Sequence, residues 1–214
     1  MLEKWRNVKM PKKSEKQDHY FTVHPKSEIK HGLICTNLRG KRFEFLTASG
    51  VFSKTHIDMG TRLLVESMVL PDEGCVLDIG CGYGAVGVAA AVFSPSLHVI
   101  MTDVNERAVW LAKQNVKRNF VGNADVRLGF LYEPVEGVVF NCILSNPPVS
   151  AGMETVRKII VDAPVHMVKG ANFHMVLRSK VAGKRLLLFF EEAFGNVAVL
   201  ARKSGYRVLI AEKQ

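Results

Sequence analysis

Short apolar runs alternate with segments of helical periodicity along most of the chain. From Cys75 onward, five strand-like runs are separated by segments whose apolar residues recur every three or four positions. Continuous apolar strands separated by helices are typical of a parallel sheet covered on both faces. The pattern predicts strands at Val76–Ile79, Val99–Thr102, Val126–Phe130, Asn141–Leu144 and Phe173–Leu177, and helices over residues 85–93, 105–119, 152–168 and 181–194. Pro164 is expected to kink or end the fourth helix.

The two ends of the chain follow a different pattern. Val197–Arg202 and Tyr206–Ala211 are strand patterns joined by Lys-Ser-Gly, which predicts a hairpin. Residues 19–46 contain short apolar runs broken by His-Gly and Arg-Gly, which indicates a small β-meander or hairpin. A helical pattern over residues 61–70 follows. We therefore expect an α/β fold: a doubly wound, mostly parallel sheet of seven strands, with a C-terminal antiparallel hairpin and a small N-terminal β extension.

This organisation predicts three segments. Residues 1–18 form a flexible basic arm, residues 19–58 a small β extension with a connector, and residues 59–214 the main domain. The first 17 residues lack an apolar core, so no secretory signal is expected. Residues 79–102 carry no formal charge, but their glycines and Pro95 argue against a spanning helix. A soluble, cytoplasmic protein is the expectation.

Composition narrows the class of protein. The chain has 214 residues, of which 48 % are hydrophobic and 23 % are charged, so disorder is excluded for most of it. Its four cysteines form no C-x-x-C pair, which argues against a disulfide scaffold or a cysteine-based zinc module and favours a reducing compartment. The seven histidines show no ligand spacing, so no metal is expected.

The net charge of +9 is spread unevenly. Residues 1–58 carry 12 Lys and Arg against 6 Asp and Glu, whereas residues 59–214 carry 17 against 14. A basic N-terminal quarter on a nearly balanced body indicates a polyanionic partner. A solvated basic tail without a partner explains the same pattern.

A glycine-rich turn follows the strand that begins at Val76. The segment Val-Leu-Asp-Ile-Gly-Cys-Gly-Tyr-Gly runs from an apolar strand directly into a helix. Glycines let the backbone approach a ligand, and the helix N-terminus offers N–H groups to an anion. The spacing of Gly82, Gly84 and Gly87 also fits a dinucleotide fingerprint. Asp78 argues against that interpretation, because a carboxylate repels a diphosphate and attracts an amino group.

A second acidic residue, Asp103, ends the next strand. This position suits hydrogen bonding to a ribose diol. Asp78 and Asp103 thus place two carboxylates on adjacent strands, one suited to an amino group and one to a ribose. This pair predicts S-adenosylmethionine as the cofactor.

The fourth strand leads into Ser-Asn-Pro-Pro-Val. Pro147 and Pro148 fix φ and remove two N–H groups, which predicts a rigid turn at the ligand-binding edge of the sheet. The Asn146 side-chain oxygen and the Pro147 carbonyl can then accept both hydrogens of a planar amino group. Positioning and loss of solvent can drive methyl transfer to such a nitrogen without a strong base.

The motifs VLDIGCGYG, TDVN and SNPPV, in this order and spacing, resemble class I methyltransferases that modify exocyclic amino groups. The segments GVFSKTHIDMGTRLLVE, LYEPV and FGNVAVLARKSGYRVLIAEK sharpen the resemblance. They are similar to the "small-domain" methyltransferases related to the guanine-N2 methyltransferase of small-subunit ribosomal RNA, particularly single-copy archaeal members. The resemblance covers roughly residues 19–213.

The resemblance implies roles for particular residues. The implied catalytic residues are Asn146, Pro147 and Pro148. The implied cofactor-binding residues are Asp78, Gly80, Cys81, Gly82, Gly84, Asp103, Val104, Phe130, Leu131, Asn146, Gly60 and Thr61. The implied substrate-binding residues are Phe52, Asp58, Val149 and Lys180. Two positions depart from the family pattern. Phe130 stands where many relatives have an acidic or amide residue for the adenine, and Val149 stands where many have an aromatic that stacks on the base.

The predicted activity is methyl transfer from S-adenosylmethionine to an exocyclic amine, most directly N2 of guanine in ribosomal RNA. The target base must be single-stranded or flipped out. The expected partner is ribosomal RNA or the small ribosomal subunit, bound by a monomer or homodimer without a membrane or metal. The alternatives are a protein glutamine N5-methyltransferase, an adenine-N6 nucleic-acid methyltransferase and a non-catalytic RNA-binding module.

Overall fold

The computed structural model describes residues 28–147, 152–180 and 183–214. The predicted basic arm at 1–18 and residues 19–27 of the predicted β extension lie outside the described residues. So do Pro148 and Val149, which sequence analysis placed in the catalytic turn.

A seven-stranded sheet forms the centre of this described part of the chain, as predicted. Its strands stand in the order β5-β4-β3-β6-β7-β9-β8, parallel from β5 to β7, with β9 antiparallel to both β7 and β8. Their bounds are β3 Gly74–Ile79, β4 Leu97–Asp103, β5 Ala124–Leu128, β6 Phe140–Ser145, β7 Met167–Arg178, β8 Ala198–Lys203 and β9 Tyr206–Glu212. The chain reverses its strand order between β3 and β6, where open α/β sheets bind their ligands.

Among the described residues, five helices cover the sheet on both faces, and each face has its own apolar core. Their bounds are α1 Met59–Ser67, α2 Ala85–Phe93, α3 Glu106–Arg118, α4 Met153–Val161 and α5 Lys184–Phe194. In α2, all residues from Ala85 to Ala91 are buried, because this helix packs against strands, helices and the N-terminal hairpin together. No helix within the described ranges combines the length and the apolar character that crossing a bilayer requires.

The segment predicted as one helix over residues 152–168 divides into three elements. The helix α4 ends at Val161, a 3₁₀ turn spans Ala163–His166, and β7 begins at Met167. Pro164 ends the α-helical pattern, because it lacks an N–H and disfavours helical geometry in the preceding residue. The early start of β7 has only a short apolar signal in Met167 and Val168, because the next two residues, Lys169 and Gly170, are exposed.

A separate hairpin of β1 (His31–Leu38) and β2 (Lys41–Ala48) packs on α3 rather than on the sheet edge. Amide side chains of α3 make hydrogen bonds to the backbone of β2, as a neighbouring strand would. Asn115 Oδ1 accepts from the Leu46 N–H at 2.7 Å, and its Nδ2 donates to the carbonyls of Leu46 at 2.9 Å and Tyr83 at 2.8 Å. Asn115 thus ties the hairpin to the glycine-rich turn.

Replacing this amide tests its structural role. We expect Asn115→Ala to lower the free energy of unfolding by about 2–4 kcal/mol, because it leaves buried backbone groups of two segments without partners. Chemical denaturation measures the change. The matched control is Lys113→Ala on the exposed face of the same helix, for which about 0.5 kcal/mol or less is expected. Equal stability of the two variants would contradict the role of Asn115.

The start of α3 also holds the connector that follows β2. The Asn105 side chain donates to the carbonyl of Gly50 at 3.1 Å, and the Arg107 guanidinium donates to that of Ser49 at 2.6 Å. Because Val51 and Phe52 come next in the chain, these two bonds bring them to the carboxyl end of the sheet.

Candidate functional site

A cavity of about 370 Å³ opens at the carboxyl ends of the central strands. Its volume is in the range typical of small-molecule sites. The predicted residues that line it are Phe52, Thr61, Asp78, Gly80, Cys81, Gly82, Asp103, Val104, Phe130, Leu131, Asn146 and Pro147. The topology therefore brings together side chains from three strands and the connector before α1.

Four other predicted residues do not line the cavity. Asp58 and Gly60 lie behind Thr61 at the start of α1, and Gly84 caps α2. Lys180 is exposed after β7, away from the lining. Asp58, Gly60 and Gly84 adjoin residues of the lining, and the cofactor and substrate roles expected for all four residues stay predictions.

The glycine-rich turn folds back on the end of β4. The N–H groups of Gly80 and Cys81 both donate to the Thr102 carbonyl at 2.9 Å. Gly82 and Gly84 have φ of +57° and +89°, a region that glycine enters without steric cost. A Cβ at Gly84 would lie 3.2 Å from the Ala112 Cβ on α3. Gly80 and Gly82 thus border the cavity, and Gly84 lets the turn pack closely on α3.

Asp78 lies at the bottom of the cavity and is 1 % exposed. Its Oδ2 accepts from the Gly87 N–H of α2 at 2.8 Å. Burial raises the pKa of this carboxyl from 3.8 to about 7, against the lowering effect of the Gly87 hydrogen bond, and the nearby charge of Asp103 adds to the rise. A buried carboxyl of this kind binds a cation in its charged form.

Asp103 ends β4 on the adjacent strand. Its Oδ2 accepts from the Gly82 N–H at 2.8 Å and its Oδ1 from the Asn105 N–H at 2.9 Å. Burial raises its pKa to about 6, while these backbone donors lower it. The two bonds hold the carboxylate at the cavity wall, where its remaining acceptor capacity suits a pair of hydroxyl groups.

Asn146 follows β6 and is held from behind by the start of α1. Its Nδ2 donates to the Thr61 Oγ1 at 2.9 Å and to the Asp58 Oδ2 at 3.4 Å. Asp58 also caps α1, accepting from the N–H groups of Gly60 at 2.9 Å and Thr61 at 3.1 Å. With its nitrogen engaged on this side, the Asn146 amide can present its oxygen as an acceptor to the cavity.

Tyr206 completes this arrangement from the far end of the chain. Its hydroxyl donates to the Asp58 Oδ1 at 3.1 Å, and the Arg178 guanidinium lies 5.5 Å from the centre of its ring. Tyr206 could not be predicted as part of the site, because nothing local in the sequence distinguishes a tyrosine at the start of a C-terminal strand. Thr155 and Ile159 of α4, which also line the cavity, had a detectable signal: they share one helix face directly after the Asn-Pro-Pro turn.

Two further groups in the cavity wall are unsuited to proton or nucleophile chemistry. Burial raises the pKa of the Cys81 thiol well above its usual value, so the thiol stays protonated. Burial likewise raises the pKa of the Tyr83 hydroxyl. Within the described ranges, no cluster of three or more His, Cys, Asp or Glu side chains has the arrangement of a metal site.

Known methyltransferases are similar to this chain in sequence. The model of the methyltransferase small domain matches residues 42–210. The uncharacterized protein YbxB of Bacillus subtilis is 35 % identical over 198 residues, which cover 92 % of this chain and 98 % of that protein. Ribosomal RNA small subunit methyltransferase C of Hamiltonella defensa is 33 % identical over 172 residues, covering 78 % of this chain and 50 % of that protein. The chain thus spans about half the length of that enzyme.

A solved structure has a similar fold. The 16S rRNA N2 methyltransferase RsmC from T. thermophilus, in complex with AdoMet and guanosine, superposes with a TM-score of 0.76 at 23 % identity, covering 89 % of this chain and 52 % of that one. The expected similarity to single-copy archaeal members is not borne out, since these three relatives are bacterial.

Proposed function

This chain belongs to the methyltransferase small-domain family, and from that membership we propose that it transfers a methyl group from S-adenosylmethionine to an exocyclic amino group of ribosomal RNA, at N2 of guanine. One observation carries the proposal. Asn146 and Pro147 line the same cavity as the buried carboxyls of Asp78 and Asp103, so that one cavity has acceptors for a target amine beside acceptors for the cofactor.

The donor set of the cavity fits S-adenosylmethionine. The carboxylate of Asp78 suits the ammonium of the methionine moiety, and Asp103 suits the ribose diol. Phe130, which is 40 % exposed, and Leu131 offer apolar contact to the adenine. The polar groups at the floor and the apolar groups at the rim match a ligand that is charged at one end and aromatic at the other.

When bound, S-adenosylmethionine supplies an electrophilic methyl group on a positively charged sulfur. The work of the protein is to place a nitrogen lone pair in line with it. Asn146 Oδ1 and the Pro147 carbonyl accept the two amine hydrogens, which favours tetrahedral character at nitrogen and turns its lone pair toward the methyl group. Orientation of this kind and exclusion of water lower the barrier without a strong base.

Asp58, Thr61 and Tyr206 serve as positioning residues in this proposal. They act on Asn146 from behind, since Thr61 and Asp58 both accept from its amide nitrogen and Tyr206 donates to Asp58. An amide flipped end for end would offer donors to a target amine and repel it. The two acceptors behind Asn146 therefore select the productive orientation.

Ribosomal RNA is the proposed substrate for two reasons. Curated relatives that share 30 to 34 % identity with this chain are named ribosomal RNA small subunit methyltransferase C, and this chain carries a net charge of +9 that favours a polyanion. Guanine N2 is the exocyclic amine that the sequence resemblance implies. The basic segment at residues 1–18 is proposed to add salt-sensitive affinity.

The decisive experiment is methyl transfer from labelled S-adenosylmethionine to three acceptors. These are unmodified 16S ribosomal RNA, assembled small subunits and a protein extract, each digested to identify the product. N2-methylguanosine in either RNA-containing sample supports the proposal. N6-methyladenosine, or label in glutamine, would replace the proposed substrate, and cofactor binding without label in any sample would favour a non-catalytic RNA-binding module.

A further inference from the structure

A basic groove lies between β2 and the C-terminal end of α3, distant along that helix from the methyl-transfer cavity. Lys41 and Arg42 of β2 face Lys117 and Arg118 of α3 across it, and Glu44 is the acidic residue in its lining. Glu44 pairs with Arg42 at 3.2 Å and Arg118 at 3.5 Å. The excess of positive charge makes the groove complementary to an anionic ligand.

Phe120 stands at the rim of this groove, directly after the C-cap of α3, in a backbone conformation that glycine usually adopts. The N–H of Val121 donates to the Val116 carbonyl at 3.0 Å and that of Phe120 to the Lys117 carbonyl at 3.1 Å. This is a Schellman motif, with Phe120 at the position that usually holds glycine. Its φ is +55° and its side chain is 96 % exposed. Phe120 therefore combines a strained backbone conformation with an aromatic side chain that is almost fully exposed to solvent.

The exposed face of α3 extends from the groove toward the end of the helix that lies beside the cavity. Trp110, Lys113, Lys117 and Phe120 follow at intervals of three and four residues, so they share one face of α3 and its C-cap. Trp110 is 47 % exposed. At the other end of the helix, the N-cap Asn105 donates its backbone N–H to Asp103 in the cavity wall. At ~1.5 Å per residue, the distance along the helix from Asn105 to Phe120 is about 20 Å.

We propose that this groove and the exposed face of α3 bind a single-stranded segment of the RNA substrate next to the methylated base. The inference rests on the proposed function. Lysines and arginines match the phosphates, and Trp110 and Phe120 give stacking platforms for bases, the combination by which proteins hold single strands. An acidic peptide would use the cations but leave two exposed aromatic rings unused. A track of about 20 Å accommodates roughly six stacked nucleotides at ~3.4 Å each.

The variant Phe120→Gly separates recognition from folding. Glycine relieves the positive φ and removes a side chain that packs on nothing, so the unfolding temperature should stay the same or rise. Loss of stacking should weaken binding of a fluorescent single-stranded RNA of about 20 nucleotides by roughly tenfold. The KM for ribosomal RNA should rise with kcat unchanged. The control Val165→Gly removes another exposed apolar side chain, 77 % exposed and outside the groove, and should leave RNA binding unchanged.

A second pair of variants tests the charges. Lys117→Ala should weaken RNA binding and reduce the magnitude of the slope of log affinity against log salt by about 0.7, because one contact with a phosphate of a single strand is lost. Lys169→Ala, an exposed lysine on β7 outside the groove, should leave the slope unchanged.

The outcomes distinguish this inference from the proposed function. Wild-type methylation of RNA together with unchanged KM in Phe120→Gly and Lys117→Ala would overturn the groove and leave the enzyme proposal standing. Equal losses in Lys117→Ala and Lys169→Ala would also overturn it, as would binding of a polyglutamate peptide as tight as that of RNA. Absence of RNA methylation by the wild type, with RNA binding still dependent on Phe120, would overturn the proposed reaction and support the groove.

Discussion

Asn146→Ala should abolish most methyl transfer while the protein still binds its cofactor. The substitution removes the side-chain oxygen that is proposed to accept an amine hydrogen and leaves the carboxyls of Asp78 and Asp103 in place. Removal of one preorganised hydrogen-bonding group from a reacting centre reduces turnover by about 10²- to 10³-fold. Single-turnover kinetics with labelled S-adenosylmethionine measures the rate, and calorimetric titration measures the affinity.

Two further variants make this result specific. Asn37→Ala alters an exposed asparagine of β1 and should leave kcat unchanged. Tyr206→Phe keeps Asn146 but removes the hydroxyl that donates to Asp58; we expect kcat to fall by about threefold to tenfold, with the KM for S-adenosylmethionine unchanged. Near-wild-type turnover of Asn146→Ala would overturn the amine-orienting role. A change only in cofactor affinity would assign Asn146 to the cofactor instead.

Asp78→Asn should weaken S-adenosylmethionine binding by about 10- to 100-fold, because an amide replaces the carboxylate proposed to bind the ammonium group. Asparagine is chosen because its side-chain oxygen can still accept a hydrogen bond from the Gly87 N–H. In the wild type this bond joins the Gly87 nitrogen and the Asp78 Oδ2 at 2.8 Å. The loss therefore reports on charge and not on the anchoring of α2. Calorimetric titration near pH 8, where Asp78 is charged in the wild type, measures the difference.

The same variant should make the protein without cofactor more stable near neutral pH. The pKa of Asp78 is about 7 in the folded protein against an ordinary 3.8, so the folded state binds the extra proton between these values. Its stability therefore falls as the pH rises from about 4 to about 7. The amide that replaces this carboxyl carries no charge at any pH; relative to wild type, Asp78→Asn should gain stability on the order of 2–4 kcal/mol at pH 8 and little at pH 4.

Chemical denaturation at the two pH values provides the check. Asp103, whose pKa is raised to about 6, is buried in both proteins, so its own burial cancels in the comparison. Its repulsion of the Asp78 carboxylate is absent from the variant and is part of the expected gain. Asp72→Asn, at an exposed aspartate before β3, is the matched control and should show neither the gain in stability nor the loss of affinity. A pH-independent difference between wild type and Asp78→Asn would contradict a buried, proton-binding carboxyl at this position.

Much of the fold could be predicted from the sequence, because its main elements are specified locally. The apolar runs that became β3, β4 and β6 are continuous, as strands buried on both faces require. Prediction failed where the local pattern is mixed. Pro164 was expected to kink or end the helix predicted over 152–168, and α4 does end before it. The residues that follow were wrongly included in that helix, since they form a 3₁₀ turn and the start of β7, where apolar and polar residues do not alternate.

The candidate site divides in the same way. The glycine-rich turn, Asp78, Asp103 and Asn146 each follow a recognisable strand, so topology alone predicts that they meet at one edge of the sheet. Phe52 was predicted as a site residue only from the resemblance to a known family. Its place depends on Asn105, the N-cap of α3, and on Arg107 in the first turn of that helix, whose side chains hold the connector by hydrogen bonds to backbone carbonyls.

The sequence by itself determined the class of fold and the order of the chemical groups along the chain, because periodicity, glycine and proline act over a few residues. Only the tertiary structure decided which distant groups touch. Tyr206 reaches Asp58 across 148 residues of sequence, and Asn115 joins β2 to the glycine-rich turn. Hydrogen bonds of this kind depend on atomic positions that no local pattern encodes, since they arise when separately specified elements pack against one another.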